Sequence, residues 1–316
     1  LQIGIDHGAC LLFSAVMADY FGDQCSCGQW FLLARLITVR QSIFALCELG
    51  IRHEDLSMSL IETRVDGHVL LIKLNRPEKL NALTPAMYHD LCRAYAQLCG
   101  DANLRVAVVY AEGKHFSAGL ELDLWTASMA NGVGFGPHEG EIDLFGLQSS
   151  RHTKPVVMAV QGYCFTWGVE ALLNTEIRVA ASDAQFAMLE VQRGIYPCGG
   201  ATLRLPKEIG WGNAQRYLLT GDRWTAQQAL EWGLVQELTE PGAQFEKALE
   251  IARKIAKAAP LGVQGVLRST RLAATAGEAA ALSVLFADLV PIFKSEDAKE
   301  GVASFLERRD AKFTGR

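Results

Sequence analysis

The chain has no apolar run of the ~18 residues that a membrane-spanning helix needs, because Asp6, Asp19, Asp23 and Arg35 interrupt its N-terminal hydrophobic stretches. The stretch from Ala9 to Ala18 also lacks the basic flank of a secretory signal. No membrane is expected as a partner, and the expected compartment is the cytoplasm. Positive charge is not in excess: 30 Lys and Arg stand against 35 Asp and Glu, a net charge of −5. With no cationic stripe in the sequence, nucleic acid is not an expected partner. The eight cysteines are scattered and read as free thiols. Cys25 and Cys27 form a C-x-C with no second pair and no nearby His-x-x-x-His, so no metal site is expected there. Walker, dinucleotide-binding, nucleophile-elbow and zincin signatures are all missing. The seven histidines (7, 53, 68, 89, 115, 138 and 152) show no ligand spacing and read as loop or surface residues.

What is present suits a folded α/β protein. Hydrophobic residues make up 50% of the 316 and charged residues 21%, enough apolar material for one large domain or two modest ones. Residues 1–57 stand apart, with no Pro, Lys or Asn yet four of the eight cysteines. The first Met before a strand pattern is Met58. We expect 1–57 to be an atypical extension arising from a mis-set start, with a genuine helical extension over Phe31 to Leu49 as the alternative. The expected division is then a core over 58–258 and a C-terminal helical region over 259–316.

Within the core, Val69 to Asn75, Val106 to Ala111, Val156 to Val160 and Ile177 to Ala181 are short apolar runs bounded by Pro, Gly or charge, and they predict buried strands. Thr84-Pro85 predicts an N-cap followed by a helix running to about Cys99. Trp167 to Asn174 has helical character. Helices are predicted over about 213–220, 225–232, 243–258, 263–275, 278–290 and 297–309, and Gly132 to Gly136 predicts a loop. Strands alternating with helices, then helices alone, make an α/β core with an all-α tail.

Eight segments carry a further pattern. They are Leu74-Asn-Arg-Pro-Glu-Lys-Leu-Asn-Ala-Leu83, His115-Phe-Ser-Ala-Gly-Leu-Glu-Leu-Asp123, Lys154-Pro-Val-Val-Met-Ala-Val-Gln-Gly162 and Gly168-Val-Glu170, then Ala184-Gln-Phe186, Glu190 with Gly194-Ile-Tyr-Pro197, Leu219-Thr-Gly-Asp222, and Ser295-Glu-Asp-Ala-Lys-Glu-Gly301 followed by Phe305-Leu-Glu-Arg-Arg309. In this order and spacing the chain from about 60 to 316 resembles the crotonase superfamily of enoyl-CoA hydratases and isomerases. The resemblance implies a spiral of ββα units whose C-terminal helices build a homotrimer or a dimer of trimers. The implied substrate is an acyl-CoA thioester, and no metal or redox cofactor is implied.

A thioester becomes reactive at its α and β carbons when charge moves onto its oxygen, and two fixed amides can hold that oxygen as an enolate. By resemblance the amides are those of Leu120, after the turn through Ala118 and Gly119, and Trp167, before Gly168 at a helix N-terminus. The family usually carries Gly at the positions of Thr166 and Trp167. Only an amide is required there, and the Trp167 side chain is expected either to line the acyl pocket or to join the core. Glu170 and Glu190 match the family's two catalytic glutamates, one to activate water and one to deliver a proton. Glu170 lies in the apolar run Val169-Glu-Ala-Leu-Leu173, where an unpaired charge is costly. Glu121 and Asp123 read as helix N-terminal carboxylates. Ala118, Gly119, Gly168, Pro197 and Arg308 match substrate-binding positions, Arg308 also reading as a solvated cation. The expected activity is that of a hydro-lyase, hydration of a trans-2-enoyl-CoA. The alternatives are an isomerase in which Glu190 alone shuttles a proton, and a non-catalytic acyl-CoA-binding protein.

Overall fold

The computed structural model describes residues 59–132, 134–148 and 151–316. The extension over 1–57, with Cys25 and Cys27, lies outside the described residues.

Among the described residues nine strands alternate with helices: β1 (Ile61–Asp66), β2 (Val69–Leu74), β3 (Val106–Ala111), β4 (Val156–Val160), β5 (Tyr163–Phe165), β6 (Ile177–Ala181), β7 (Gln185–Ala187), β8 (Arg223–Thr225) and β9 (Glu237–Thr239). One sheet runs β1-β2-β3-β4-β6-β9, antiparallel at β1/β2 and parallel elsewhere. The second, β5-β7-β8, is parallel then antiparallel. The four strands predicted from apolar runs are β2, β3, β4 and β6. Their continuous apolar character follows from burial on both faces, as parallel strands require. Alternate residues Val69, Leu71, Val106, Val108, Val157 and Val179 meet Ala248, Leu249 and Ala252 of a covering helix. The intervening Leu70, Ile72, Ala107, Val109, Met158 and Ala180 belong to the main core on the other side.

The helices are α1 (Pro85–Gly100), α2 (Leu122–Ala130), α3 (Trp167–Leu172), α4 (Ala201–Ile209), α5 (Trp211–Thr220), α6 (Ala226–Glu231), α7 (Gln244–Lys257), α8 (Pro260–Ala276), α9 (Glu278–Phe293) and α10 (Glu296–Glu307). The helix predicted from Thr84 begins as expected, with Thr84 Oγ1 accepting from the Met87 amide at 3.2 Å. Helix α4 is absent from the predicted set, since Gly199, Gly200 and the internal Pro206 are all breaker signals. Strands β5, β7, β8 and β9, three residues each, are too short to show a period. Two of them, β8 and β9, fall in a region read as helical. Of the histidines, His152 departs from the surface reading: it is fully buried against Glu176 and Arg271.

The order of elements is a spiral. The chain passes from the large sheet to the small sheet and then into a helix, as β4-β5-α3 and again as β6-β7-α4. Before these, β3 leads to a parallel bridge between Ser117 and Cys164 and then to α2. Three ββα turns thus stack, and the mixed α/β spiral with C-terminal helices α8 to α10 is the expected architecture. Each return from large to small sheet is tight. At Gly162 (φ +51°) a Cβ would stand 2.3 Å from the Lys114 carbonyl oxygen, so only glycine fits. Among the described residues no helix is long and apolar enough to cross a membrane.

Candidate active site

The two turns that enter α2 and α3 lie side by side. Thr166 Oγ1 comes within 2.9 Å of where a Cβ would stand on Gly119, whose φ of +122° also calls for glycine. The amides that follow these two residues belong to Leu120 and Trp167. Among the described residues neither donates to a protein acceptor. Their direction is set by the carbonyls of the same peptide groups, because a planar trans peptide holds its C=O and N–H in opposite senses. The Gly119 carbonyl accepts from the Leu83 amide at 2.9 Å, which turns the Leu120 N–H away from Leu83. The Thr166 carbonyl accepts from the Glu170 amide at 3.1 Å, which turns the Trp167 N–H outward from the start of α3.

Thr166, a non-glycine residue, takes φ 50° and ψ −114°. Such a backbone costs a non-glycine residue on the order of 1–3 kcal/mol and persists only where packing imposes it. Thr166 is held on both sides, its amide donating to the Ala187 carbonyl at 2.8 Å and its carbonyl accepting from the Glu170 amide at 3.1 Å. Trp167 is 1% exposed and lies against Phe116, with ring centroids 6.0 Å apart. Its Nε1–H donates to Ser117 Oγ at 2.7 Å and to the Gly119 carbonyl at 3.0 Å. Of the two expected places for this side chain, the core is the one it occupies. The residues on either side follow the same plan. Ala118 is half-buried and its amide donates to the Leu80 carbonyl. Gly168 packs closely, and a Cβ there would touch Cys164 Sγ at 3.3 Å.

Glu170 sits one turn into α3 and is 2% exposed. Its Oε1 accepts from the Gly199 amide at 2.7 Å and from the Ala201 amide at 3.1 Å, the latter at the start of α4. Burial, then the charge of Glu190, push this carboxyl up to about 8, against the pull of the two amides. Glu190 opens a short 3₁₀ turn (Glu190–Arg193), and burial pushes it up to about 7. Its buried Oε2 has no hydrogen-bond partner among the described residues. Cys198 lies near both acids, and burial together with their charges raises its thiol to about 11. Pro197 is buried beside it. The structure therefore brings Glu170, Glu190, Pro197, Leu120 and Trp167 to one place.

Of the other charged candidates, Glu121 is engaged and Arg308 is not. Glu121 pairs with Arg76 at the start of α2, and the contact holds its carboxyl below the usual range. Arg308 caps α10 in a left-handed conformation and is exposed; its side chain makes no hydrogen bond or ion pair among the described residues. Among the described residues the nearest approach to a metal-ligand set is His89, His138 and Glu141, with ligand atoms within 4.8 Å of one another. Glu141 is already paired with His89 at 2.8 Å and Arg93 at 3.0 Å. The amides of Gly199 and Ala201 and the Ser117 hydroxyl were not found by sequence reasoning. Only the Gly199-Gly200 pair carried a signal, since adjacent glycines after a proline mark a close backbone approach.

A pair of free amides on adjoining turns, with two proton-binding carboxyls beside them, defines a site for chemistry next to a polarised carbonyl. Comparison with known proteins agrees. The family described as enoyl-CoA hydratase/isomerase matches residues 64–316, and the chain belongs to that family. It is 36% identical to an enoyl-CoA hydratase of Mycobacterium tuberculosis over 263 residues, covering 82% of this chain and 97% of that protein. It is also 36% identical to a carnitinyl-CoA dehydratase of Salmonella arizonae over 267 residues, covering 82% of this chain and all of the relative. Among solved structures, a probable enoyl-CoA hydratase/isomerase from Mycobacterium abscessus superposes with a TM-score of 0.79 at 44% identity, covering 81% of this chain and 99% of that one.

Proposed function

We propose that this protein adds water to a trans-2-enoyl-CoA thioester to give a 3-hydroxyacyl-CoA. The observation that carries this reading is the pair Glu170 and Glu190, the first buried on two backbone amides and the second with a buried Oε2 that has no partner among the described residues, both raised towards neutral by burial. The thioester oxygen would accept from the Leu120 and Trp167 amides, and the enolate charge would be held there without a metal or redox cofactor. Glu170 keeps Oε1 on the two amides, which leaves Oε2 to orient and deprotonate water for attack at Cβ. Glu190, with its unpartnered Oε2, delivers the proton to Cα. The proton gained by one carboxyl matches the proton given by the other, and exchange with solvent resets the pair. The exposed apolar residues Leu282, Phe286 and Phe293 of α9 fit the trimer that the resemblance implies.

The test is the loss of the conjugated enoyl-thioester absorbance on adding crotonyl-CoA, with 3-hydroxybutyryl-CoA identified as the product. Turnover of a 3-enoyl-CoA without any hydroxyacyl product would replace this reading by the isomerase. Binding without turnover of either would leave a non-catalytic acyl-CoA-binding protein.

A further inference from the structure

We infer that the Trp167 indole is a positioning group for the opposite side of the oxyanion site, fixing the peptide plane that carries the Leu120 amide; this rests on the proposed use of Leu120 and Trp167 as thioester-oxygen donors. Trp167 then serves the site twice, through its own N–H and through its side chain.

The argument begins with the Gly119–Leu120 peptide. A glycine at φ +122° has backbone freedom on one side of that peptide, and Leu120 is in neither a helix nor a strand. Without further restraint the plane can tilt, and the direction of the Leu120 N–H tilts with it. Two N–H groups hold the Gly119 carbonyl, the Leu83 amide at 2.9 Å and Trp167 Nε1–H at 3.0 Å, with the Ser117 hydroxyl farther off at 3.4 Å. The first belongs to the bridge between Leu83 and Leu120. The second crosses from the other turn. Because the peptide is planar, a carbonyl pinned from two directions aims the N–H on its far side.

The indole also donates to Ser117 Oγ at 2.7 Å, and that hydroxyl donates in turn to the Asn81 carbonyl at 2.8 Å. The same oxygen accepts from the Gly119 amide at 3.1 Å. Ser117, Gly119 and Trp167 are all buried, so these bonds are formed away from water and do not exchange readily with it. The result is a rigid strut between the two turns whose successive amides face the substrate. Preorganisation of this kind matters because an oxyanion donor acts only if it is already aimed where charge develops.

The experiment removes the indole N–H while keeping the backbone amide and, in one of two variants, the ring's bulk as well. Trp167→Phe is compared with replacement of Trp167 by benzothienylalanine, whose ring has the indole shape with sulfur in place of N–H. In both, kcat for crotonyl-CoA is expected to fall by about 10-fold, short of the roughly 10²- to 10³-fold that follows outright loss of an oxyanion donor. KM is expected to stay within about twofold. The infrared carbonyl stretch of a bound enoyl-CoA, shifted to lower frequency in the unaltered protein, should move back towards its value in water. A folded benzothienylalanine protein with unchanged kcat and an unchanged carbonyl shift would overturn the inference. If the unaltered protein itself shows no carbonyl shift on binding an enoyl-CoA, the thioester-site reading is what fails, and the inference falls with it.

Discussion

The Gly199 amide donates to Glu170 Oε1 at 2.7 Å, and the Glu170 Oε2 atom lies 2.4 Å from where a Cβ on Gly199 would stand. One glycine thus holds one oxygen of the acid and makes room for the other. The start of α4 supplies the second amide, from Ala201. A carboxyl so placed is costly to ionise yet kept in one orientation, which is what proton transfer to or from a bound water requires.

Gly199→Ala should therefore disturb Glu170 before anything else. The added methyl cannot share space with Oε2, so the carboxyl must rotate off its two amides. We expect kcat for crotonyl-CoA to drop by about 10²-fold or more, as for loss of a general acid–base group. Circular dichroism and gel filtration should show the fold retained. Unchanged kcat would mean that the orientation of Glu170 does not matter to turnover.

Glu170→Gln separates stability from activity. The folded protein raises this carboxyl from its ordinary 4.5 to about 8, so between these values the folded state binds more protons than the unfolded one. Stability then falls as pH rises through that window. Gln accepts the same two amide bonds and never ionises. The variant should have a higher Tm than the unaltered protein at pH values above about 8, by at least ~2 °C, with the difference vanishing towards pH 4.5. Turnover should fall by roughly 10²- to 10⁴-fold. Thermal melts across pH check the first claim and initial rates the second.

Glu190→Gln should change how Glu170 titrates. Part of the rise at Glu170 comes from the neighbouring charge of Glu190. With that charge gone, Glu170 should titrate at lower pH, which the ¹³C carboxyl shift of labelled glutamate would report. Each single variant should lose turnover, and the double variant should lose less than the product of the two losses, because both acids serve one transition state. Isomerase chemistry gives the opposite pattern: Glu170→Gln would leave conversion of a 3-enoyl-CoA largely intact.

The pH dependence of kcat/KM should be a narrow bell. Hydration as proposed needs Glu170 ionised and Glu190 protonated; with the two raised to about 8 and about 7 this is the less populated of the two singly protonated forms, and both forms peak at the same pH. The measured limbs belong to the pair as a whole. The optimum should fall between those values, and either Gln variant should abolish the bell. A flat profile from pH 6 to 9 would separate turnover from these two groups.

Local sequence was enough for the parts of this protein that depend on local pattern. Val69 to Leu74 and Val156 to Val160 read as doubly buried strands because nearly every residue is apolar, and Thr84-Pro85 reads as a helix start because capping involves only residues a turn apart. The placement of Glu170 and Glu190 came from the order and spacing of eight segments resembling one family. The three-residue strands and α4 left no such trace, since the first are shorter than any measurable period and the second begins after two glycines and contains a proline. What only the tertiary structure decided is which distant atoms meet. Glu170 finds its amides 29 and 31 residues downstream, the Trp167 indole finds Gly119 48 residues upstream, and His152 is buried against Arg271 from a helix 119 residues away. Periodicity tells which face of an element is buried. It does not tell what lies opposite that face, and the charge state of a buried acid depends on what does.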